Sequence, residues 1–129
     1  MANEITISTK YYCATAGGAY TPSQTITKTL NQTGTNVGSF TQDVTTSDAA
    51  LDIPASVTGN LWVEINNLGA KTDTNWIEIS TATGGSFSAS KFGMIPGAGV
   101  FAGMIPSGVT WYLESNTGTI KVDVRCFQQ

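Results

Sequence analysis

The chain is predicted to be all-β, an antiparallel, jelly-roll-like β-sandwich of roughly eight to ten short strands. Three observations predict it. Runs of alternating apolar and polar residues recur along the whole sequence, the period-2 mark of strands that bury one face. Clusters of Gly, Asn, Asp and Pro interrupt them at sandwich-like spacing. No apolar pattern of period 3.6 runs long enough for the helices of a parallel α/β fold. Composition agrees: charged residues make up only 12% of the chain, while 20 of its 129 residues are Thr, which solvates the outer face of a strand without charge. That length suits one domain, 1–129, and buries roughly two-thirds of its unfolded surface.

In chain order, Ile5, Ile7, Thr9, Tyr11 and Cys13 alternate with Thr6, Ser8, Lys10 and Tyr12 as a first strand, broken by Gly17 and Gly18. Thr25 to Leu30 reads as a second strand, stopped by Asn31 and Gly34. A third runs near Val37 to Thr45, with Phe40 and Val44 toward the core, and Ala49 to Ile53 is a short edge strand or one helical turn before Pro54. Thr83 to Ser90 is a Ser/Gly-rich connection, followed by strands near Gly99 to Ile105 and Thr110 to Glu114. After the turn Ser115–Gly118, the last strand places Ile120, Val122, Val124 and Cys126 on one face and Lys121, Asp123 and Arg125 on the other. With strands at both termini, a closed or sandwiched arrangement avoids exposed edges.

Gly59 to Ser80 holds two runs with one pattern, Trp62-Val63-Glu64-Ile65-Asn66 and Trp76-Ile77-Glu78-Ile79-Ser80. The intervening Asn, Gly and Asp predict that they pair as an antiparallel hairpin, with Leu61, Val63, Ile65, Ile77 and Ile79 buried. Fully buried, these five contribute on the order of 10 kcal/mol. A turn centred on Lys71 sets Glu64 opposite Glu78, with Trp62 and Trp76 on the same face. Such a face reads as solvated, as a subunit contact, as a sugar-stacking platform, or as a glycosidase carboxylate pair about 5 Å apart. The solvated face is the simplest of these, because directly opposed like charges destabilise a sheet.

Gly93-Met94-Ile95-Pro96-Gly97 is echoed ten residues later by Gly103-Met104-Ile105-Pro106-Ser107-Gly108. Pro and Gly make turns, so two turns are predicted at the ends of one strand. Met94, Ile95, Met104 and Ile105 either close the sandwich core or, with Phe101, form a surface for another subunit.

The chain has no His, which removes the usual general base and triad member. Cys13 and Cys126 lie too far apart in sequence for a zinc motif and are expected as free, buried thiols, with a bridge between them the alternative if the first and last strands are neighbours. Asp43, Asp48 and Asp52 do not fit a calcium loop, and Gly97-Ala98-Gly99 lacks the rest of a phosphate-binding fingerprint. No catalytic residue, metal or cofactor is therefore expected. A net charge of −3 with scattered basic residues argues against nucleic acid. No apolar run reaches the ~18 residues of a membrane span, and the opening Met1-Ala2-Asn3-Glu4 has no basic or apolar leader pattern.

The run Gly59-x-Leu61-Trp62-Val63-x-Ile65-x-Asn67-Leu68, followed by Thr74-Asn75-Trp76-Ile77-x-Ile79, resembles small structural proteins of tailed bacteriophages. Gly97 to Phe101 and Thr110 to Phe127 are similar to the closing segments of those chains, and Met1-Ala2-Asn3-Glu4-Ile5 to their openings. The likeness covers about half the chain, from Gly59 onward, and its motifs are in part general β-sheet grammar; the paired Trp residues and the repeated Gly-Met-Ile-Pro depart from it. The resemblance implies a non-enzymatic virion component made in the bacterial cytoplasm. Capsid decoration is the first expectation, and a head-fibre or tail subunit the alternative. It also implies capsid or tail proteins as partners and self-association, commonly trimeric. Candidate contact residues, for a subunit or a glycan, are Trp62, Trp76, Met94, Ile95, Phe101, Met104 and Ile105.

Overall fold

The computed structural model describes residues 3–11, 24–32, 36–71 and 74–129. Its strands are β1 (Asn3–Tyr11), β2 (Gln24–Gln32), β3 (Val37–Val44), β4 (Ala49–Ala50), β5 (Leu61–Asn67), β6 (Trp76–Ser80), β7 (Lys91–Pro96), β8 (Val100–Ile105), β9 (Tyr112–Ser115) and β10 (Ile120–Gln128). Short 3-10 turns occupy Gly84–Ser86 and Ser88–Ser90, inside the predicted Ser/Gly-rich connection. Among the described residues no helix is long and apolar enough to cross a membrane.

The contacts divide the chain into two compact units, Met1–Thr33 and Gly34–Gln129. The first unit contains an antiparallel pair, β1 with β2, in unbroken register from Asn3↔Gln32 to Tyr11↔Gln24. Ser8 and Thr27 stand opposite each other with their hydroxyls 2.9 Å apart, a pairing that suits Ser and Thr across strands. Cys13 lies outside the described residues.

The second unit is a sandwich of two four-stranded antiparallel sheets. Sheet I has the order β3-β10-β5-β8 and sheet II the order β4-β9-β6-β7. The pairs β3–β10, β4–β9, β5–β8 and β6–β7 are all present. This unit is thus one long ribbon, folded back between β6 and β7 and wound so that successive pairs alternate between sheets. This is the jelly-roll winding.

Alternation decides which residues meet in the middle. β5 reads buried at Leu61, Val63, Ile65 and Asn67 and half-buried at Trp62, Glu64 and Asn66. β10 buries Ile120, Val122, Val124 and Cys126, and β6 buries Ile77 and Ile79. With Val44, Ile95, Ile105, Trp111 and Leu113 these form one continuous core, against which Phe40 packs. The predicted inward faces of β3, β5, β6 and β10 are therefore the observed ones.

Pairing within Gly59–Ser80 is not as predicted. β5 belongs to sheet I and β6 to sheet II, so the two strands face each other through the core instead of sharing a ladder. Both bury one face in the same core from opposite sides, and this gives them identical patterns. The segment between them crosses from one sheet to the other. It is pinned by the Asn67 side chain, which donates to the Ile95 carbonyl and accepts from the Gly69 amide. Gly97 and Ala98 complete the corner by donating to the carbonyls of Asn75 and Gly69.

Gly93–Pro96, expected as a turn region, forms most of strand β7. The echo places Ile95 and Ile105 in equivalent buried positions, one in each sheet, and Met94 and Met104 in equivalent exposed ones. Turns at 97–99 and 106–109 do bracket β8, as expected. The β6–β7 register skips Phe92 between Gly93 and Lys91. This bulge re-aims a side chain that would otherwise follow the strand's alternation. The Phe92 ring lies 5.1 Å from Trp111 and 6.1 Å from Phe101, between centroids, along the β7/β8 side of the sandwich.

Candidate functional site

The outer face of sheet I carries a four-strand arrangement of side chains that the core does not consume. Its rows follow from register. Val37, Phe127, Trp62 and Met104 are direct cross-strand neighbours, one from each of the four strands. The next outward row is Ser39, Arg125, Glu64 and Ala102, and the one after it is Thr41, Asp123, Asn66 and Val100. Asp43 and Lys121 end the series, with an ion pair at 3.6 Å.

Chemistry therefore changes across this face. One end is an uninterrupted apolar row, in which Val37 is 57% and Met104 48% exposed. The middle is charge-balanced. Arg125 stands opposite Glu64 and lies 3.8 Å from Asp123, while Glu64 accepts from the Asn66 amide at 3.2 Å. Exposed pairs like these contribute little stability but fix which charges a partner meets.

Sheet II presents a different outer face. Glu78 stands opposite Glu114 on one side and Met94 on the other, and Trp76 is opposite Pro96. The Lys91 ammonium lies 2.5 Å from the Glu78 carboxylate and offsets the like-charge pair. At Ser80 the chain folds back over the sheet. Its hydroxyl donates to the carbonyl of Phe87, which is 2% exposed and buried outside the main core cluster. Part of this face is therefore covered by the chain itself.

The predicted contact residues do not form one site. Trp62 and Met104 are adjacent on sheet I, whereas Trp76 and Met94 lie on the outer face of sheet II. Ile95 and Ile105 belong to the core, and Phe101 is half-buried with Phe92 and Trp111. The expected opposition of Glu64 and Glu78 does not occur, because the two sit on opposite sheets; nor do the two tryptophans share a face. Sequence reasoning missed Val37 and Phe127 as row members. Phe127 carries its own signal, since it continues the outward parity of Lys121, Asp123 and Arg125. Glu114 carries none, because only the winding brings it beside Glu78.

Beside the apolar row, loops 51–59 and 105–111 enclose an open cleft of about 430 Å³. Leu51, Val57, Leu61, Ile105 and Trp111 supply its apolar floor, and Thr58, Ser107 and Thr110 its polar groups. None of its lining side chains is titratable, so it offers shape and hydrogen bonds without acid–base chemistry. Among the described residues no group of three His, Cys, Asp or Glu could hold a metal ion. Cys126 is free and buried in the core, where burial pushes its thiol pKa up and away from the nucleophilic thiolate.

Comparison of the chain with protein-family models, with curated proteins and with solved structures yields no match.

Proposed function

We propose that this protein is a non-enzymatic structural component of a tailed-bacteriophage particle, with capsid decoration as the role that fits best and a head-fibre or tail subunit as the alternative. The observation that carries the reading is the Val37–Phe127–Trp62–Met104 row, which spans every strand of sheet I. A half-buried Trp between a half-buried Phe and an exposed Met is the kind of anchor that interface cores use, and the charged rows beside it form a polar rim. The resemblance from Gly59 onward points to virion proteins. The jelly roll is a fold used by viral capsid and lectin domains, which supports the reading by analogy only.

In this role the chain acts by contact. One face of this size gives a modest affinity; copies held on a lattice raise it, because each further contact forms at high effective concentration. Quantitative mass spectrometry of purified particles tests the proposal. Many copies per head are expected for decoration and a few per particle for a tail or vertex location. Absence from the particle contradicts the reading.

The glycan reading loses its paired platform, since Trp62 and Trp76 lie on opposite faces. A saturable fluorescence change with bacterial polysaccharide, lost in Trp62→Ala alone, would favour glycan binding by sheet I instead.

A further inference from the structure

The sandwich has four edge strands, and three carry devices that discourage pairing with another chain. β4 is only two residues long. β3 carries Asp43, and its Gln42 side chain is tied across the sandwich, donating to the Ala50 carbonyl and accepting from the Asp52 amide. β7 carries Lys91, the bulge at Phe92 and Pro96, which lacks an N–H. β8 has none of these. Its sequence Val100-Phe101-Ala102-Gly103-Met104-Ile105 has no charge and no proline, and its ladder with β5 runs without a register shift. Among the described residues no strand pairs with its outer side.

We propose that β8 pairs antiparallel with β8 of a second copy, about a two-fold axis through Ala102, joining two sheets I into one continuous sheet. Directly opposed residues share a face, so a two-fold axis on this strand must pass through a residue. Centred on Ala102, it sets Val100 (59% exposed) opposite Met104 (48% exposed) of the second copy, twice, with the small Ala102 side chains between them. On the inner face it sets Phe101 opposite Gly103, which has no side chain to oppose the ring. An axis through Gly103 would instead oppose Val100 to Pro106.

The occupant is a second copy because the strand is self-complementary: with no charged residue in it, the two-fold opposes no like charges. The apolar row of each copy then gains Val100 of its neighbour beyond Met104, and Phe92, 46% exposed beside Phe101, is brought toward the junction. Six residues a side is well short of the roughly 20–30 of a standard interface, so the dimer is dissociable, and dilution separates it. The pairing does not depend on the virion reading, and its test needs only the purified full chain.

Sedimentation velocity across a dilution series should show a monomer–dimer equilibrium. Ala102→Lys, which places two ammonium groups at the axis, should weaken association roughly tenfold or more. Mild oxidation of Ala102→Cys should give a disulfide-linked dimer, because opposed Cα atoms about 4.5–5.5 Å apart lie within the span of the bond. Wild-type chain and Thr41→Cys, on the far edge strand, should not cross-link. A chain monomeric throughout, association unchanged in Ala102→Lys, or no Ala102→Cys cross-link would each overturn the proposal. A trimer insensitive to both variants would do so too.

Discussion

The side-chain amide of Asn67, in β5 of sheet I, donates a 3.0 Å hydrogen bond to the carbonyl of Ile95, in β7 of sheet II. The same side chain accepts from Gly69, and Asn67 is only 2% exposed. One buried amide thus joins the two sheets and fixes the crossing between β5 and β6. Asn67→Ala leaves a buried carbonyl and an amide unpaired, at a cost of roughly 1–3 kcal/mol for each group left without a partner. Chemical denaturation should show that loss. An Asn67→Ala variant as stable as wild type would mean that the corner is held by the backbone bonds alone.

The same corner requires Gly97. A Cβ added there would overlap the Ala70 carbonyl oxygen, which is backbone and cannot swing aside as a side chain would. Gly97→Ala is expected to cost about 1–3 kcal/mol or more, as overpacking does. Gly85, where an added Cβ meets nothing within 4 Å, is the matched control: Gly85→Ala should leave the melting temperature nearly unchanged.

Acid should loosen the connection between β6 and β7. Asp48 accepts hydrogen bonds from the Thr83 hydroxyl and, at 3.1 Å, from the Gly84 amide. The Thr83 bond first, then the Gly84 bond, hold its carboxyl below the ordinary value of 3.8. A depressed folded pKa contributes stability above 3.8, which is lost as the pH falls through the lower folded value. As the pH falls from about 3.8 through the lower folded value, the melting temperature should fall more steeply for wild type than for Asp48→Asn. Parallel curves would show that the two hydrogen bonds contribute nothing to pH dependence.

Much of this architecture is legible in the sequence because burial is a local property of a strand. Alternation alone assigns Val63, Ile65, Ile77, Ile79, Val122 and Val124 to the core, and all six are fully buried. Partner choice is not local. β5 and β6 carry one pattern because each buries a face in the same core, and nothing within Gly59–Ser80 states that they approach it from opposite sheets. The opposed Glu64/Glu78 pair and the shared Trp face were lost with that hairpin. β7 stayed hidden for another reason: Gly93 and Pro96 read as turn residues. In the fold Gly93 makes room for the Phe101 ring, and Pro96 sits at the end of an edge strand, where its missing N–H is tolerated. The apolar row became visible only once register aligned Val37, Phe127, Trp62 and Met104 from four distant segments.

Oxidative footprinting of the free protein and of the assembled particle tests the contact role of sheet I most directly. Met94 and Met104 are both exposed in the free chain diluted to monomer, at 60% and 48%, and they report on opposite outer faces. In the particle, Met104 and Trp62 should be protected while Met94 and Trp76 keep their free-protein reactivity. Protection of Met94 and Trp76, with Met104 and Trp62 unchanged, would contradict sheet I as the contact face.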